Sequence, residues 1–182
     1  MLRRMLKVFR DLIFEIQLAI ASPNKKIDVY KKKMGIKAGT NIRITGNIIF
    51  GSEPFLVELG NDITITQNVM FHTHDGGVWV FRKEYPGINI YKKIKVGNNV
   101  FLGANSSLMP GVTIGDNVVI AANSVVTKDC ESDSVYAGIP AKRIKSLAEY
   151  KEKVLKEAVF IKSNDIKKRK IEILEQFKNK EN

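Results

Sequence analysis

Residues Val96–Asp129 read VGNNVF LGANSS LMPGVT IGDNVV IAANSV VTKD when they are written in units of six. An aliphatic residue opens every unit, at Val96, Leu102, Leu108, Ile114, Ile120 and Val126. The fifth position of each unit carries a small or β-branched residue, in the series Val100, Ser106, Val112, Val118, Ser124 and Cys130. A short fixed period that continues over successive units indicates a repeat architecture, and a period of six indicates a β-helix.

A period of six fits neither an amphipathic α-helix nor a half-buried β-strand. An amphipathic helix needs apolar residues every three or four positions, and a half-buried strand needs strict alternation. Six residues suit a short strand followed by a corner, so three units close a triangular coil with the aliphatic residues inside. Asn and Gly then occupy corners that need unusual backbone angles, and the coils stack as parallel ladders about 4.8 Å apart.

The same period extends towards the N-terminus, with two interruptions. It is predicted at six earlier positions: Ile36, Ile42, Ile48, Leu59, Ile65 and Phe71. The break at Gly51–Pro54 includes a proline, which removes a ladder donor. Residues 75–93 have no six-residue phase, and a long loop inside a compact fold is usually functional. We expect this excursion to cover or line a site.

Two helical segments flank the repeat region, which is predicted to span residues 23–145. Residues 1–22 predict an amphipathic helix with one apolar face: Leu2, Met5, Leu6, Phe9, Leu12, Ile13 and Ile16. That face is expected either to pack against the β-helix or a neighbouring subunit, or to lie on an anionic membrane surface beside Arg3, Arg4, Lys7 and Arg10. Residues 146–182 predict further helices rich in Lys and Glu, with a cap at Ser163–Asp165.

Composition limits the classes of partner and compartment. The chain has 182 residues and a net charge of +11, but no recognised nucleic-acid motif accompanies the charge. Nucleic acid is therefore not expected as a partner. Cys130 is the single cysteine, which excludes an intrachain disulfide and fits a reducing cytoplasm. It occupies a fifth position of the repeat, so we expect it to be buried and not catalytic.

The segments PGVTIGDNVVIAANSVVTKD and YAGIPAKRIK resemble those of the hexapeptide-repeat acyltransferases, including sugar and polysaccharide O-acetyltransferases. The resemblance covers roughly residues 36–150. It implies an all-β solenoid, a left-handed parallel β-helix with terminal α-helices, which assembles as a homotrimer. It also implies a cytoplasmic enzyme that uses acetyl-CoA as acyl donor and a saccharide as acceptor, with no metal.

Acyl transfer to a hydroxyl needs a general base, and neutral histidine suits that task near pH 7. The chain has two histidines, His72 and His74, both where the repeat gives way to the excursion. The resemblance implies His74 as the base, with His72 as the substitute. Transfer is then direct, without an acyl-enzyme.

The resemblance also implies a set of cofactor-binding residues. Backbone N–H groups at Gly103 and Ala104 are predicted to stabilise the oxyanion, and a small residue there would let the pantetheine arm lie close. Ala122 is predicted to contact that arm, and basic side chains near the C-terminal end of the repeat to contact CoA phosphates. The full set is Gly103, Ala104, Ala122, Thr127, Lys128, Lys142, Arg143 and Lys145.

The excursion is predicted to supply the acceptor-binding residues, namely Asp75, Trp79, Arg82 and Tyr85. Aromatic and cationic side chains together form a wall that suits a sugar. Trp79 has a second interpretation, as the side chain that anchors the loop by packing.

Three other functions stay open at this point. An N-acetyltransferase acting on an amino-sugar would use the same residues. A zinc hydratase shares the left-handed β-helix, but a three-histidine site cannot be built from two histidines in one chain. A non-catalytic scaffold would show no affinity for CoA and no dependence on His74.

Overall fold

The computed structural model of the chain describes residues 2–181, with side chains described for residues 4–178. The side chains of Leu2 and Arg3 in the predicted amphipathic pattern therefore lie outside the described part. The chain forms two units, residues 1–147 and residues 148–182. The helices are α1 (Leu2–Ile20), α2 (Lys26–Met34), α3 (Leu147–Glu157) and α4 (Ile166–Glu181), with 3-10 helices at Pro54–Leu56 and Gly76–Phe81.

The strands of the first unit are short and follow one another in groups of three. They are β1 (Lys37–Ala38), β2 (Ile42–Ile44), β3 (Ile48–Ile49), β4 (Val57–Leu59), β5 (Ile63–Ile65), β6 (Val69–Phe71), β7 (Ile94–Val96), β8 (Val100–Leu102), β9 (Ser107–Leu108), β10 (Thr113–Ile114), β11 (Val118–Ile120), β12 (Val125–Val126), β13 (Ser134–Ala137) and β14 (Lys142–Ser146).

The strands assemble into three sheets that each gain one strand per coil. Sheet A has the order β1-β4-β7-β10, sheet B has β14-β13-β11-β8-β5-β2, and sheet C has β12-β9-β6-β3. All the pairs are parallel except that of β13 with β14. A chain that visits sheets A, B and C in turn and then returns to A forms a three-sided parallel coil, as the repeat predicts.

The distance in sequence between stacked residues measures each coil. Asn99 and Asn117 stack 18 positions apart, which is three units of six. Asn41 and Asp62 stack 21 positions apart across the break at Gly51–Pro54. Asn68 and Asn105 stack 37 positions apart, 19 more than a regular coil. The added residues form the excursion between β6 and β7.

The interior of the coil contains the residues that the repeat predicts. Every aliphatic first residue and every fifth residue from Val96 to Cys130 is buried, with at most 4% of its surface exposed. In β8, for example, Val100 and Leu102 point inwards while Phe101 between them is 41% exposed. The predicted core of the repeat is therefore confirmed.

The phase predicted for the first coil is wrong by two residues. Strand register aligns Ile42 with Ile63 and Val100, a fifth position, and it aligns Ile44 with Ile65 and Leu102, a first position. Ile36, Ile42 and Ile48 are buried as expected, but at the fifth positions. Both positions face inwards in every unit, so apolar spacing alone does not distinguish them.

Residues with a left-handed backbone conformation stack at two corners of the β-helix. At the corner between sheets A and B, the amide of Asn117 donates to Asp133 and accepts from Asn99. At the corner between sheets B and C, Asn105 links Asn68 and Asn123. All these residues have φ between 53° and 59°, a conformation that Asn and Asp tolerate better than most residues. The predicted role of Asn at the corners is confirmed.

The last parallel strand is covered by an antiparallel partner. The segment that contains Lys142, Arg143 and Lys145 is β14, which pairs with β13. The sequence predicts contacts with CoA phosphates for these residues but predicts no strand here. Because β14 supplies the next ladder of hydrogen bonds, the edge of β13 is paired instead of open.

A line of aromatic rings joins the N-terminal helices to the coil. The ring centroids of Phe14 and Tyr30 are 5.8 Å apart, those of Tyr30 and Phe50 are 5.1 Å apart, and those of Phe50 and Phe71 are 5.0 Å apart. Phe14 is the side chain of α1 that is buried in this line. The predicted apolar face of α1 is instead exposed within the chain, so its packing against the β-helix is contradicted for the described residues.

The second unit contains α4 and most of α3. The backbone N–H of Lys168 donates to Asp165 Oδ1 at 2.9 Å, and the N–H of Asp165 donates to Ser163 Oγ at 3.1 Å. Asp165 therefore caps α4 at the segment where a cap is predicted.

Candidate active site

The candidate site forms where the excursion leaves and rejoins the coil, at the corner between sheets C and A. The backbone N–H of Lys92 donates to the carbonyl of Thr73 at 2.8 Å, and the N–H of Asp75 donates to the carbonyl of Ile90 at 3.1 Å. His74 and Tyr91 form an antiparallel β-bridge between these bonds. The two ends of the excursion are thus closed against each other, and this closure fixes the backbone on both sides of His74.

A cleft of about 410 Å³ opens at this corner. Its lining comes from the end of sheet C, both ends of the excursion and the turn after β9. The lining residues are His72, His74, Asp75, Gly76, Ile90, Lys92, Met109 and Pro110. The cleft thus contains both predicted histidines and the predicted substrate residue Asp75.

His74 is held by a carboxylate from the preceding coil. Its Nδ1 lies 2.8 Å from Glu53 Oε2, and its ring meets that of Tyr91 edge-on with 6.3 Å between centroids. An ionised carboxylate only accepts hydrogen bonds, so Nδ1 carries the proton in this pair. The neutral imidazole then has its free lone pair on Nε2, which is the form that a general base requires.

Glu53 is kept ionised by its donors. Burial raises the pKa of Glu53, but hydrogen bonds from Ser52, His74 and Thr73 lower it more, and the net pKa is below the usual 4.5. Thr73 is fully buried and donates its hydroxyl to Glu53 Oε2 at 2.9 Å. The carboxylate is therefore charged and oriented at neutral pH.

His72 also contributes to the cleft, from a half-buried position at the end of β6. Its backbone N–H donates to the carbonyl of Leu108 at 2.9 Å. The chain therefore presents two histidines to one cleft, and the hydrogen bond that His74 donates to Glu53 distinguishes it from His72.

Three of the predicted substrate residues lie outside this lining. Trp79 is 67% exposed, and the guanidinium of Arg82 lies 4.5 Å from the centre of its ring. Tyr85 is 55% exposed. The alternative that Trp79 anchors the loop is wrong, because Val78 is the buried side chain of the excursion. Asp75, which lines the cleft, accepts from Gly77 N at 2.8 Å and so shapes the start of the 3-10 helix.

The predicted oxyanion donor at Gly103 is contradicted. Its backbone N–H donates to the carbonyl of Ile120 in the next coil at 2.8 Å, so this group belongs to the ladder. The absence of a side chain at Gly103 also has a packing reason, because an added Cβ would lie 2.4 Å from Ala122 N. Ala104, at the same corner, stays the candidate donor.

The other predicted cofactor residues are distributed over two corners and the last strand. Backbone hydrogen bonds join the coils at Leu108 and Val126, so His72, Met109 and Thr127 follow one another along the corner between sheets C and A, about 4.8 Å per step. Gly103, Ala104 and Ala122 lie instead at the corner between sheets B and C. One chain therefore presents the histidines and the residues predicted for the pantetheine arm at different corners.

Of the basic residues predicted to contact the CoA phosphates, some are exposed and one forms a hydrogen bond within the chain. Lys128 is exposed after β12, and Lys142 is exposed on β14. Lys145 is half-buried on the same strand. Arg143 donates from Nε to Ser134 Oγ at 2.9 Å, which ties its guanidinium to the surface of sheet B.

Cys130 lies inside the coil, 4% exposed. Burial, together with the nearby charge of Asp129, raises the pKa of this thiol to about 12. A thiol is a nucleophile only as thiolate, so the expectation that Cys130 is buried and structural is consistent with its environment.

The sequence does not identify six residues of the site, namely Glu53, Gly76, Ile90, Lys92, Met109 and Pro110. Glu53 lies in the interruption at Gly51–Pro54, which was interpreted only as a break in the ladder. Lys92 and Met109 line the cleft from the end of the excursion and the turn after β9. Glu53 lies 21 positions before His74, and this separation equals the length of the coil between them. The spacing is therefore the signal in the sequence that could have predicted the contact between the two residues.

Among the described residues, no group of three or more His, Cys, Asp or Glu side chains could hold a metal ion. No helix in residues 2–181 combines the length and the apolar character needed to cross a membrane.

Similarity to known proteins agrees with the repeat and the fold. Residues 93–128 match the family described as "Bacterial transferase hexapeptide (six repeats)". The protein CapG of Staphylococcus aureus is 48% identical over 149 residues, which are 81% of this chain and 87% of CapG.

Two solved structures are similar in fold and sequence. A maltose O-acetyltransferase from Clostridium difficile 630 is 30% identical with a TM-score of 0.51, over 67% of this chain and 74% of that one. A galactoside acetyltransferase in complex with coenzyme A is 27% identical with a TM-score of 0.57, over 79% of this chain and 82% of that one. With its repeat, parallel sheets and histidine cleft, this chain is an acyltransferase that belongs to the hexapeptide-repeat acetyltransferase family.

Proposed function

We propose that this protein is an acetyl-CoA-dependent O-acetyltransferase that acts on a hydroxyl of a sugar or a surface polysaccharide, with His74 as general base. The observation that carries the proposal is the hydrogen bond of 2.8 Å between Glu53 Oε2 and Nδ1 of His74, which lines the cleft. The similarity to a maltose O-acetyltransferase and to a galactoside acetyltransferase supports a saccharide acceptor. The coenzyme A held by the latter supports acetyl-CoA as donor.

The proposed reaction is a direct transfer. His74 Nε2 removes the proton from the acceptor hydroxyl while the oxygen attacks the carbonyl carbon of the thioester. The resulting tetrahedral species collapses with cleavage of the carbon–sulfur bond, and the imidazolium returns its proton to the leaving thiolate of CoA. The products are the acetyl ester and CoA, and Glu53 stays ionised throughout while it holds the ring and stabilises its charged form.

A left-handed coil and a homotrimer complete the proposal. His74 and the residues predicted for the pantetheine arm lie at different corners of the β-helix. A neighbouring subunit can bring its own corner with Ala104 and Ala122 to the cleft, which would unite the base with the donor. Lys128 and Lys142 would then contact the phosphates of CoA by charge-assisted hydrogen bonds. A cytoplasmic location follows from the need for acetyl-CoA.

The test combines donor binding with acceptor turnover. Titration calorimetry should show that acetyl-CoA binds the wild-type protein and binds Lys128→Glu more weakly. A panel of neutral sugars and amino-sugars, scored by release of the CoA thiol, then separates O-acetylation from N-acetylation.

His74→Ala should lower kcat/KM by about 10²–10⁴-fold with donor binding retained, as expected on loss of a general base. His72→Ala is the matched control, since it removes the other histidine of the same cleft. Full activity of His74→Ala would refute the proposed role, and the reverse pattern would assign the base to His72.

A further inference from the structure

The helix α1 presents an apolar face that the rest of its own chain leaves uncovered. Large apolar side chains between residues 5 and 20 are between 39% and 79% exposed, namely Met5, Leu6, Val8, Phe9, Leu12, Ile13, Ile16 and Ile20. At 100° per residue these side chains form one continuous arc. We call this arc the α1 apolar face.

The opposite side of α1 attaches the helix to the protein. Phe14 is buried against Tyr30, and Leu18 packs against the core. Asp11 Oδ1 forms an ion pair with Lys33 Nζ at 3.2 Å, and this ammonium lies 5.3 Å from the ring centre of Phe14. These contacts fix the rotation of the helix, so the α1 apolar face is directed away from the core.

The surroundings of this face are strongly basic. Between residues 4 and 34 the chain carries eight Lys or Arg against three Asp or Glu. Arg4, Lys7 and Arg10 of α1 are exposed, as are Lys25 and Lys32 in and beside α2. At 100° per residue Arg4 and Arg10 lie just beyond the two edges of the arc, whereas Lys7 lies on the opposite side of the helix. An apolar arc with cationic borders on a helix that also carries Asp11 and Glu15 fits the plane of an anionic bilayer interface, not its interior.

We propose that α1 binds the surface of an anionic lipid bilayer, with its apolar face inserted at the level of the headgroups and its basic borders against lipid phosphates. Charge complementarity favours this occupant over a second copy of the chain. A self-contact through the same face would bring two basic segments together, whereas phosphate headgroups neutralise them. The helix of 19 residues is about 28 Å long, enough to lie flat and bury the whole face at once.

The test uses the full-length protein and vesicle flotation. The wild-type protein should float with vesicles of phosphatidylcholine and phosphatidylglycerol, bind pure phosphatidylcholine vesicles much less, and dissociate as salt is raised. These measurements use the wild-type protein, so they do not depend on whether a variant folds. Absence of binding to the anionic vesicles would overturn the proposal.

Variants locate the binding surface. Phe9→Glu with Ile16→Glu should abolish flotation, whereas the matched pair Ile171→Glu with Leu174→Glu on α4 should leave it unchanged. Arg4→Gln with Arg10→Gln should weaken binding about 25-fold, because each neutralised charge near the surface gives a factor of about 5. Lys83→Gln with Lys95→Gln is the charge control and should change little.

The outcome also separates this proposal from its rival and from the proposed function. Two results together would show that the face binds a second copy of the chain and that the proposal is wrong. The wild-type protein would not bind vesicles, and Phe9→Glu with Ile16→Glu would reduce the oligomer mass measured by light scattering. Equal effects of the α1 and α4 pairs would equally overturn it. Acetyl-CoA binding should be unchanged in all these variants, so a failure of flotation leaves the acetyltransferase proposal standing.

Discussion

Glu53 and His74 lie 21 positions apart, which is the length of the coil between them, and their side chains meet at 2.8 Å. The same step of 21 relates Ile48 to Val69 in the strand register. The two residues therefore occupy equivalent positions in successive coils, and stacking brings them together. The three residues that lengthen this coil beyond 18 belong to the interruption that carries Glu53.

Glu53→Gln should lower kcat while KM for acetyl-CoA changes little, because Glu53 acts through His74 and touches neither substrate. The loss of kcat should be smaller than the loss of roughly 10²–10⁴-fold that is expected when the general base itself is removed. The measurement is steady-state kinetics together with ¹⁵N NMR of the His74 ring. The wild type should show Nδ1 protonated in the neutral ring, and Glu53→Gln should show a tautomer mixture. An unchanged tautomer with unchanged kcat would contradict the positioning role.

Stability should depend on pH through Glu53. Its pKa in the folded protein is below 4.5, the usual value that applies to the unfolded chain. The ionised form therefore stabilises the fold above that value, and this stabilisation is lost as the pH falls through the lower folded pKa. Thermal unfolding of wild type and Glu53→Gln should differ most at neutral pH, and the two midpoints should converge in acid. A difference that is constant with pH would contradict the charge-based explanation.

Ser106 and Ser124 form a matched pair inside the coil. They occupy equivalent fifth positions of successive coils, and both are fully buried. Ser124 Oγ accepts from Gly138 N at 3.2 Å, whereas within the described part of the chain Ser106 Oγ has no hydrogen-bond partner. Ser124→Ala should therefore cost about 1 kcal/mol in the free energy of unfolding, and Ser106→Ala should be neutral or stabilise by up to about 1 kcal/mol.

Chemical denaturation of the two serine variants measures this difference directly, because both remove the same atom from the same kind of site. A loss at Ser106 equal to that at Ser124 would mean that the Ser106 hydroxyl has a partner in solution, such as a buried water.

Gly103→Ala should destabilise the coil. The added Cβ would lie 2.4 Å from Ala122 N and 2.6 Å from the carbonyl carbon of Ala121, both backbone atoms that cannot move without displacing a coil. Overpacking of this kind costs about 1–3 kcal/mol. Gly76→Ala is the control, because a Cβ there meets nothing within 4 Å. Thermal unfolding should show a lower midpoint for Gly103→Ala alone, and equal midpoints would show that the coils separate easily.

Sequence periodicity predicted most of the coil, and its errors have physical reasons. The residues from Val96 to Cys130 identify the inward positions because the unit length is constant there. In the first coil Ile42 and Ile44 are both apolar and both inward, so the phase was assigned two residues early. The strand β14 was missed because its exposed basic residues carry no alternating apolar signal, and antiparallel pairing alone makes it a strand.

The N-terminal helix illustrates the same limit on a larger scale. Its apolar spacing predicts a helix and an apolar face, and both are present. The spacing does not say what that face contacts. The side of α1 that carries Phe14 packs on Tyr30, because Tyr30 begins the line of rings that reaches the coil through Phe50 and Phe71. The more apolar face of α1 is therefore directed away from the core.

The repeat, the inward residues, the excursion and the pair of histidines that border it can all be identified from the amino-acid sequence. Each of these depends on local spacing or on residue type. The folded chain is needed to see that Glu53 accepts a hydrogen bond from His74 and that the Gly103 N–H donates to the carbonyl of Ile120. Both contacts join residues from different coils, and coils of 21, 37 and 18 residues align only when the chain is folded, because each interruption shifts the register by its own length.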